Sequence, residues 1–226
     1  MKKLPFLLFF LPVLSCKNAT TNQLSNGKEF EGVITYRITY DGYPEDYSYG
    51  DTMRFWYSKG NCIKEYNGKA IHGVRKEIFL IKGNRYFVQM VNGDSLLTTD
   101  VTSDKFMSLK DSHHSFTETR ILGHTCEQID QDLEYTKGHL PCFVSLLYSK
   151  EVLPVDKQNF KNVKFSCFDR FIDESGAFYL SYFLRIQDSN KDAPSSYKFT
   201  AINIREQPVD PSIFNIDTSR IKPIFQ

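Results

Sequence analysis

"FEGVITYRITY", residues 30–40, alternates apolar and polar positions almost without a break. Phe30, Ile34, Tyr36, Ile38 and Tyr40 fall on one side of an extended chain. Glu31, Thr35, Arg37 and Thr39 fall on the other. A helix would scatter both sets around its axis, because its side chains recur about every 3.6 residues and those of a strand every second residue. The stretch therefore predicts a strand with one buried face. "MRFWY", residues 53–57, repeats the pattern, with Met53, Phe55 and Tyr57 on one side and Arg54 and Ser58 opposed.

Turn signals follow at short intervals: Gly60-Asn61, Asn67-Gly68, Gly83-Asn84 and Asn92-Gly93. Such pairs favour primed hairpin turns, which need positive φ. The region between them reads as a meander of strands at 76–82, 85–91 and 95–101. Residues 104–116 read as a loop, with Phe106 and Leu109 at a spacing that allows a short helix. Strands resume at 118–130, where Gly123 predicts a bulge, and at 142–150. One helix is expected over 163–175. Asn162 is placed to cap it, Phe165, Phe168, Phe171 and Ile172 share a face, and Gly176 sits at the left-handed position after its end. Strands at 177–187 and 197–206 close the body, and "DPSIFNID" (210–217) reads as a helical turn. The sum is about nine strands and one or two helices in a single β-rich domain over residues 29–226. Its fold class is a curved antiparallel sheet with a helix packed on the open side.

Net charge is +1, so nothing points to nucleic acid or an acidic polymer. Nineteen Phe and thirteen Tyr suit sheet surfaces and apolar grooves. No metal-ligand spacing stands out. Cys62, Cys126, Cys142 and Cys167 leave two disulfides or four buried thiols equally open.

The start of the chain has its own logic. Lys2 and Lys3 precede an apolar run from Leu4 to Leu14 that is too short for a bilayer core of ~30 Å and contains Pro5 and Pro12. This reads as a secretion signal over residues 1–15. Residues 16–28 are polar and read as a flexible tether. Val13-Leu14-Ser15-Cys16 resembles the bacterial lipobox. The resemblance implies a diacylglyceryl group on the Cys16 thiol, cleavage before Cys16 and acylation of the new amino group. Several chains would anchor the protein durably to a membrane. Lys17 is not the aspartate that retains well-known lipoproteins on the inner membrane, and the acidic cluster used for surface export is missing. The resemblance therefore implies the periplasmic face of the outer membrane.

"FEGVITYRITYDG", "TETRILGHTCEQI", "LLYSKEVLPVDKQNF", "SGAF" and "DPSIFNI" together resemble a family of small Gram-negative envelope lipoproteins. That family is similar in turn to the carriers and receptors of the Lol system. The resemblance implies a half-open antiparallel β-barrel with a helical lid over an apolar cavity that takes acyl chains. Cys142 and Cys167 depart from the family pattern.

Candidates for chemistry are few. His113-His114 would point to opposite faces of a strand or sit solvated on a loop. His124, Cys126 and Asp130 can be drawn as a Cys-His-Asp set, but neighbours two apart on a strand are commonplace. Asp188, Asn190, Lys191 and Asp192 form a polar loop. No enzymatic centre and no cofactor is expected. The residues expected to line an apolar interior are Ile34, Tyr36, Ile38, Tyr40, Met53, Phe55 and Tyr57, closed by Phe165, Phe168 and Phe171. A monomer is expected, taking an apolar small molecule or acyl chain. The rival is an interaction lipoprotein whose interior is filled by its own side chains. A cavity of at least ~300 Å³ separates the two.

Overall fold

The computed structural model describes residues 28–42, 45, 48–103, 106–136, 138–187 and 194–223. The signal segment 1–15, Cys16, the tether up to residue 27 and the 188–193 loop lie outside the described residues. The chain is mainly β. Its strands in chain order are β1 (Gly32–Asp41), β2 (Thr52–Ser58), β3 (Asn61–Tyr66), β4 (Val74–Leu80), β5 (Arg85–Met90), β6 (Leu96–Asp100) and β7 (Met107–Ser115). They continue with β8 (Arg120–Ile121), β9 (His124–Thr125), β10 (Glu127–Tyr135), β11 (Leu140–Tyr148), β12 (Tyr179–Ile186), β13 (Ser195–Glu206) and β14 (Ile221–Pro223). Twelve form one sheet in the order β14-β6-β5-β4-β3-β2-β1-β13-β12-β11-β10-β7, and β8 and β9 form a separate small hairpin. Every pairing is antiparallel except β14 on β6.

β1 sits in the middle, between β2 and β13. Its alternation is realised: Ile34, Tyr36 and Ile38 are buried while Arg37 and Thr39 face solvent. Gly32 opens it at φ 155°, and a Cβ there would lie 2.1 Å from the Arg205 carbonyl oxygen of β13. The β2–β3 hairpin turns on Lys59 (φ 47°) and Gly60 (φ 86°), one residue earlier than the Gly60-Asn61 signal suggests.

Alternate residues of β2 to β5 enter two different cores. Phe55, Cys62 and Phe79 face the main core. Trp56, Ile63, Ile78 and Phe87 face a second one, roofed by the 3-10 turn Pro211–Phe214. Asp210 caps that turn by accepting from Ser212 N at 2.9 Å. Apolar residues on both faces explain why "EIFLI" reads as an unbroken run rather than an alternation.

Four expectations are corrected. β3 was not anticipated, because Lys64 and Glu65 break its apolar pattern. Residues 107–115 form the edge strand β7, not a loop or helix. Met107 and Leu109 are its only apolar residues, too few to show an alternation, and the pairing with β10 slips just after them at Lys110. Gly123 is not a bulge: with Leu122 (φ 52°) it makes the tight turn of the β8–β9 hairpin. The helix is shorter than 163–175. A 3-10 turn at Phe165–Cys167 leads into α1 (Phe168–Ser175), and Ser166 (φ 52°) and Cys167 (φ 55°) are left-handed between them. Asn162 therefore cannot cap α1, and Phe165 does not share its face. The far end is as expected: Gly176 is left-handed at φ 63° and its N–H donates to Ile172 O at 2.9 Å.

The segment that carries α1 is tied to the chain just before β1 and just after β6. Phe30 N donates to Pro154 O at 2.7 Å, and Lys164 N to Val101 O at 2.7 Å. The Glu29 carboxylate accepts from Tyr57, from Asp156 N at 3.2 Å and from Asn159 Nδ2 at 3.0 Å.

Two substitutions test this geometry. Gly32→Ala forces β1 away from a backbone carbonyl and should cost about 3 kcal/mol in urea unfolding. Ser166→Gly relieves a left-handed non-glycine residue and should stabilise by about 1 kcal/mol. In a domain of this size that raises Tm by about 2–4 °C.

Candidate functional site

The inward rows of the large sheet converge on a cavity of about 310 Å³. β3 contributes Cys62, Lys64 and Tyr66, β4 contributes Glu77 and Phe79, and β10 contributes Gln131 and Tyr135. β11 adds Val144 and Leu146, and β13 adds Tyr197 and Phe199, each pair at the two-residue spacing of one strand face. Phe160, Phe165, Phe168 and Phe171 close it from the segment before and within α1. β3 and β10 stand six places apart in the sheet order. On a flat sheet that is about 29 Å. Lys64 and Gln131 nevertheless line one cavity, so the sheet is bent around it.

Of the residues expected at the interior, Phe55, Phe165, Phe168 and Phe171 line the cavity. Ile34, Tyr36, Ile38, Met53 and Tyr57 are buried in the packed core and do not reach it. Phe178 accounts for part of this, packing edge-on against Phe55 at 4.9 Å and Tyr57 at 4.7 Å between ring centroids. The Tyr36 hydroxyl donates to Tyr179 O at 2.7 Å. Tyr40 is half-buried, donating to Gly50 O at 2.6 Å and accepting from Tyr49 N at 2.9 Å. Cys16 lies outside the described residues.

The polar groups of the cavity were not foreseen. Lys64 and Glu77 are directly opposite in the β3–β4 register and meet at 3.1 Å (Nζ–Oε2). They are the charged residues of its lining. Burial alone would lower the Lys64 ammonium. The Glu77 carboxylate more than offsets this and holds its pKa above the ordinary lysine value. The Tyr86 hydroxyl also bonds Glu77, and burial raises the phenols of Tyr66 and Tyr86 well above their usual value. Burial likewise pushes up the Cys62 thiol. Gln131 is 2% exposed, and its Nε2 has no hydrogen-bond partner. It stands in a row with Ile129 and Leu133, both buried and apolar. The sequence signal was available: a lysine, a glutamate and a glutamine at inward positions of otherwise apolar rows.

The other candidates lie on or beside β7, β9 and β10. His113 and His114 lie on β7 and reach different carboxylates, Asp130 at 4.0 Å and Glu174 at 3.5 Å. Burial alone would raise Asp130. Hydrogen bonds from Ser145, Ser115 and Gln128 outweigh it and hold the carboxyl below the usual range. The Cys126 thiol donates weakly to the His124 backbone carbonyl at 3.7 Å, and Asp130 bonds neither. Cys62, Cys126, Cys142 and Cys167 are all buried and form no disulfide among the described residues, and burial pushes the Cys142 thiol up to about 11. Among the described residues no cluster could hold a metal ion, and no helix is long and apolar enough to cross a membrane. No protein-family model and no curated protein matches the chain.

Two measurements follow from the burial. Glu77→Gln leaves Lys64 without its counter-charge and should destabilise by about 2 kcal/mol at pH 7, less than a fully buried pair because Lys64 keeps some exposure. In the parent protein the raised Lys64 pKa contributes stability below the unfolded value of ~10.4, and that contribution is lost as pH rises through the folded value. In the variant only burial remains, the folded pKa falls, and the penalty eases as pH rises. The gap between the two unfolding free energies should therefore narrow between pH 7 and pH 10. Separately, iodoacetamide at pH 8 should leave Cys62, Cys126, Cys142 and Cys167 unmodified in the native protein and label all four in urea, read by peptide mass mapping.

Proposed function

We propose that this chain is a lipoprotein anchored through Cys16 to the outer membrane, facing the periplasm, whose domain binds an apolar ligand such as an acyl chain. On this reading the bent sheet is a half-open barrel and residues 160–171 are its lid. The observation that carries the reading is the cavity of about 310 Å³ under an aromatic lining. It has the size at which ligand sites begin, ~300 Å³. The lining has the chemistry of a binding site rather than of an enzyme: largely aromatic walls of Phe and Tyr, one ion pair between Lys64 and Glu77, and no nucleophile paired with a base. The lid residues Phe165 and Phe168 are only partly buried, as groups that meet a ligand would be. The filled-barrel alternative draws on the solid packing of Ile34, Tyr36, Met53 and Tyr57. A void of this size beside them weighs against it, because packed interiors rarely keep gaps much larger than a water molecule.

Titration with the uncharged dye N-phenylnaphthylamine should give saturable fluorescence enhancement. Phe165→Glu, which places a charge at the lid, should weaken that binding about tenfold or more while Tm moves little. No enhancement by the parent protein would leave the filled interior as the better account. For the anchor, Cys16→Ala should move the protein from the membrane fraction to the soluble one, with loss of acyl label.

A further inference from the structure

The cavity wall is built of rings. Sixteen of the twenty-five residues around it are Phe or Tyr, and its aliphatic members are Met107, Val144, Leu146 and Val163 alone. Aliphatic side chains are not scarce in this chain. Ile34, Ile129, Leu153, Ile172 and Leu180 are wholly buried, all in the packed core and none at the void.

The wall rings meet one another at steep angles. Phe106 and Phe165 cross at 73° with centroids 5.4 Å apart, and Phe160 and Phe168 at 77° and 5.7 Å. Such a wall presents both ring faces and ring edges to whatever occupies the space. An aromatic guest gains from edge-to-face and offset contacts over and above the area it buries. An open alkyl chain gains from buried area alone.

One part of the wall is polar. Lys64 lines the cavity, and its side chain is 32% exposed. An ammonium carries three N–H donors. Glu77, at 3.1 Å, is its hydrogen-bond partner among the described residues. Tyr86 also bonds the Glu77 carboxylate, so that anion is served from two sides while the ammonium keeps donors in reserve. An oxygen acceptor on a guest can reach Lys64 without displacing Glu77.

We propose that the cavity takes a flat aromatic ring system with one oxygen acceptor, its rings among the Phe and Tyr walls and its oxygen accepting from Lys64 Nζ, in preference to an open-chain molecule of equal carbon number. The inference rests on the binding reading above and narrows its apolar ligand from a chain to a ring. Lys64 acts by direct contact with the ligand, and Glu77 by holding the ammonium at the wall.

The test uses the full chain and four probes of equal carbon number: 2-acetylnaphthalene, its saturated counterpart 2-acetyldecalin, dodecan-2-one and 2-ethylnaphthalene. Each competes at pH 7 with bound N-phenylnaphthylamine, and each affinity is divided by the probe's octanol–water partition coefficient. So corrected, 2-acetylnaphthalene should bind about tenfold or more tighter than 2-acetyldecalin and dodecan-2-one. It should also bind about tenfold tighter than 2-ethylnaphthalene, which lacks the oxygen. The double variant Lys64→Met/Glu77→Met removes the donor without leaving a buried charge unpaired. There the advantage over 2-ethylnaphthalene should vanish, while the advantage over dodecan-2-one persists. Equal corrected affinity of ring and chain, or tighter binding of dodecan-2-one, would overturn the proposal and leave a general apolar site. So would an oxygen preference that survives in the double variant, because another group would then be the donor. Failure of the dye and of all four probes to bind would instead overturn the binding reading itself.

Discussion

The aromatic rows on the inner face of the sheet can leave water only if the sheet bends. A single eight-residue helix, α1, is too small to cover twelve strands. Bending brings β3 and β4 within reach of β10 and β11 around one void, and the 152–175 segment then seals what the bend leaves open. Burial of this area at roughly 25 cal/mol per Å² drives the arrangement. The other face of β3 to β5 needs its own cover, and the Pro211–Phe214 turn supplies it. Strand placement, the 152–175 segment and the second core all answer to the same requirement.

Within that apolar shell the polar groups are placed in opposite ways. Lys64 and Glu77 neutralise each other across neighbouring strands. Gln131 is left open. The segment that closes the cavity is also bound to the start of the domain, since Glu29 accepts from Asn159 and Phe30 N donates to Pro154 O. Phe160, next to Asn159, lines the cavity. Residues 29–30 and the 154–159 stretch thus share one hydrogen-bond network.

Much of the β class was legible because β1 and β2 are central strands whose inward apolar residues recur at every second position. β3 and β7 were not, and for different reasons. In β3 the break comes from Lys64, whose inward position is tolerable only because Glu77 stands opposite it. β7 is an edge strand that needs little apolar surface, and Met107 and Leu109 are too few to show an alternation. The helix start was misplaced because nothing local marks Ser166 and Cys167 as left-handed; the packing of Phe165 against Tyr86, at 4.8 Å, accompanies that kink.

The sequence by itself determined which faces of which strands are apolar, where most hairpins turn, that Gly176 ends the helix and that Asp210 opens a helical turn. Each of these is settled within a few residues by steric limits and period two. Only the tertiary structure decided which apolar residues became core and which became cavity wall. Tyr36 and Phe55 belong to equally regular alternating rows, yet Tyr36 is packed beneath Tyr179 while Phe55 reaches the void. That difference depends on what arrives from distant parts of the chain to cover each side chain. The same holds for Lys64, Glu77 and Gln131, whose roles exist only once strands far apart in the chain enclose one space.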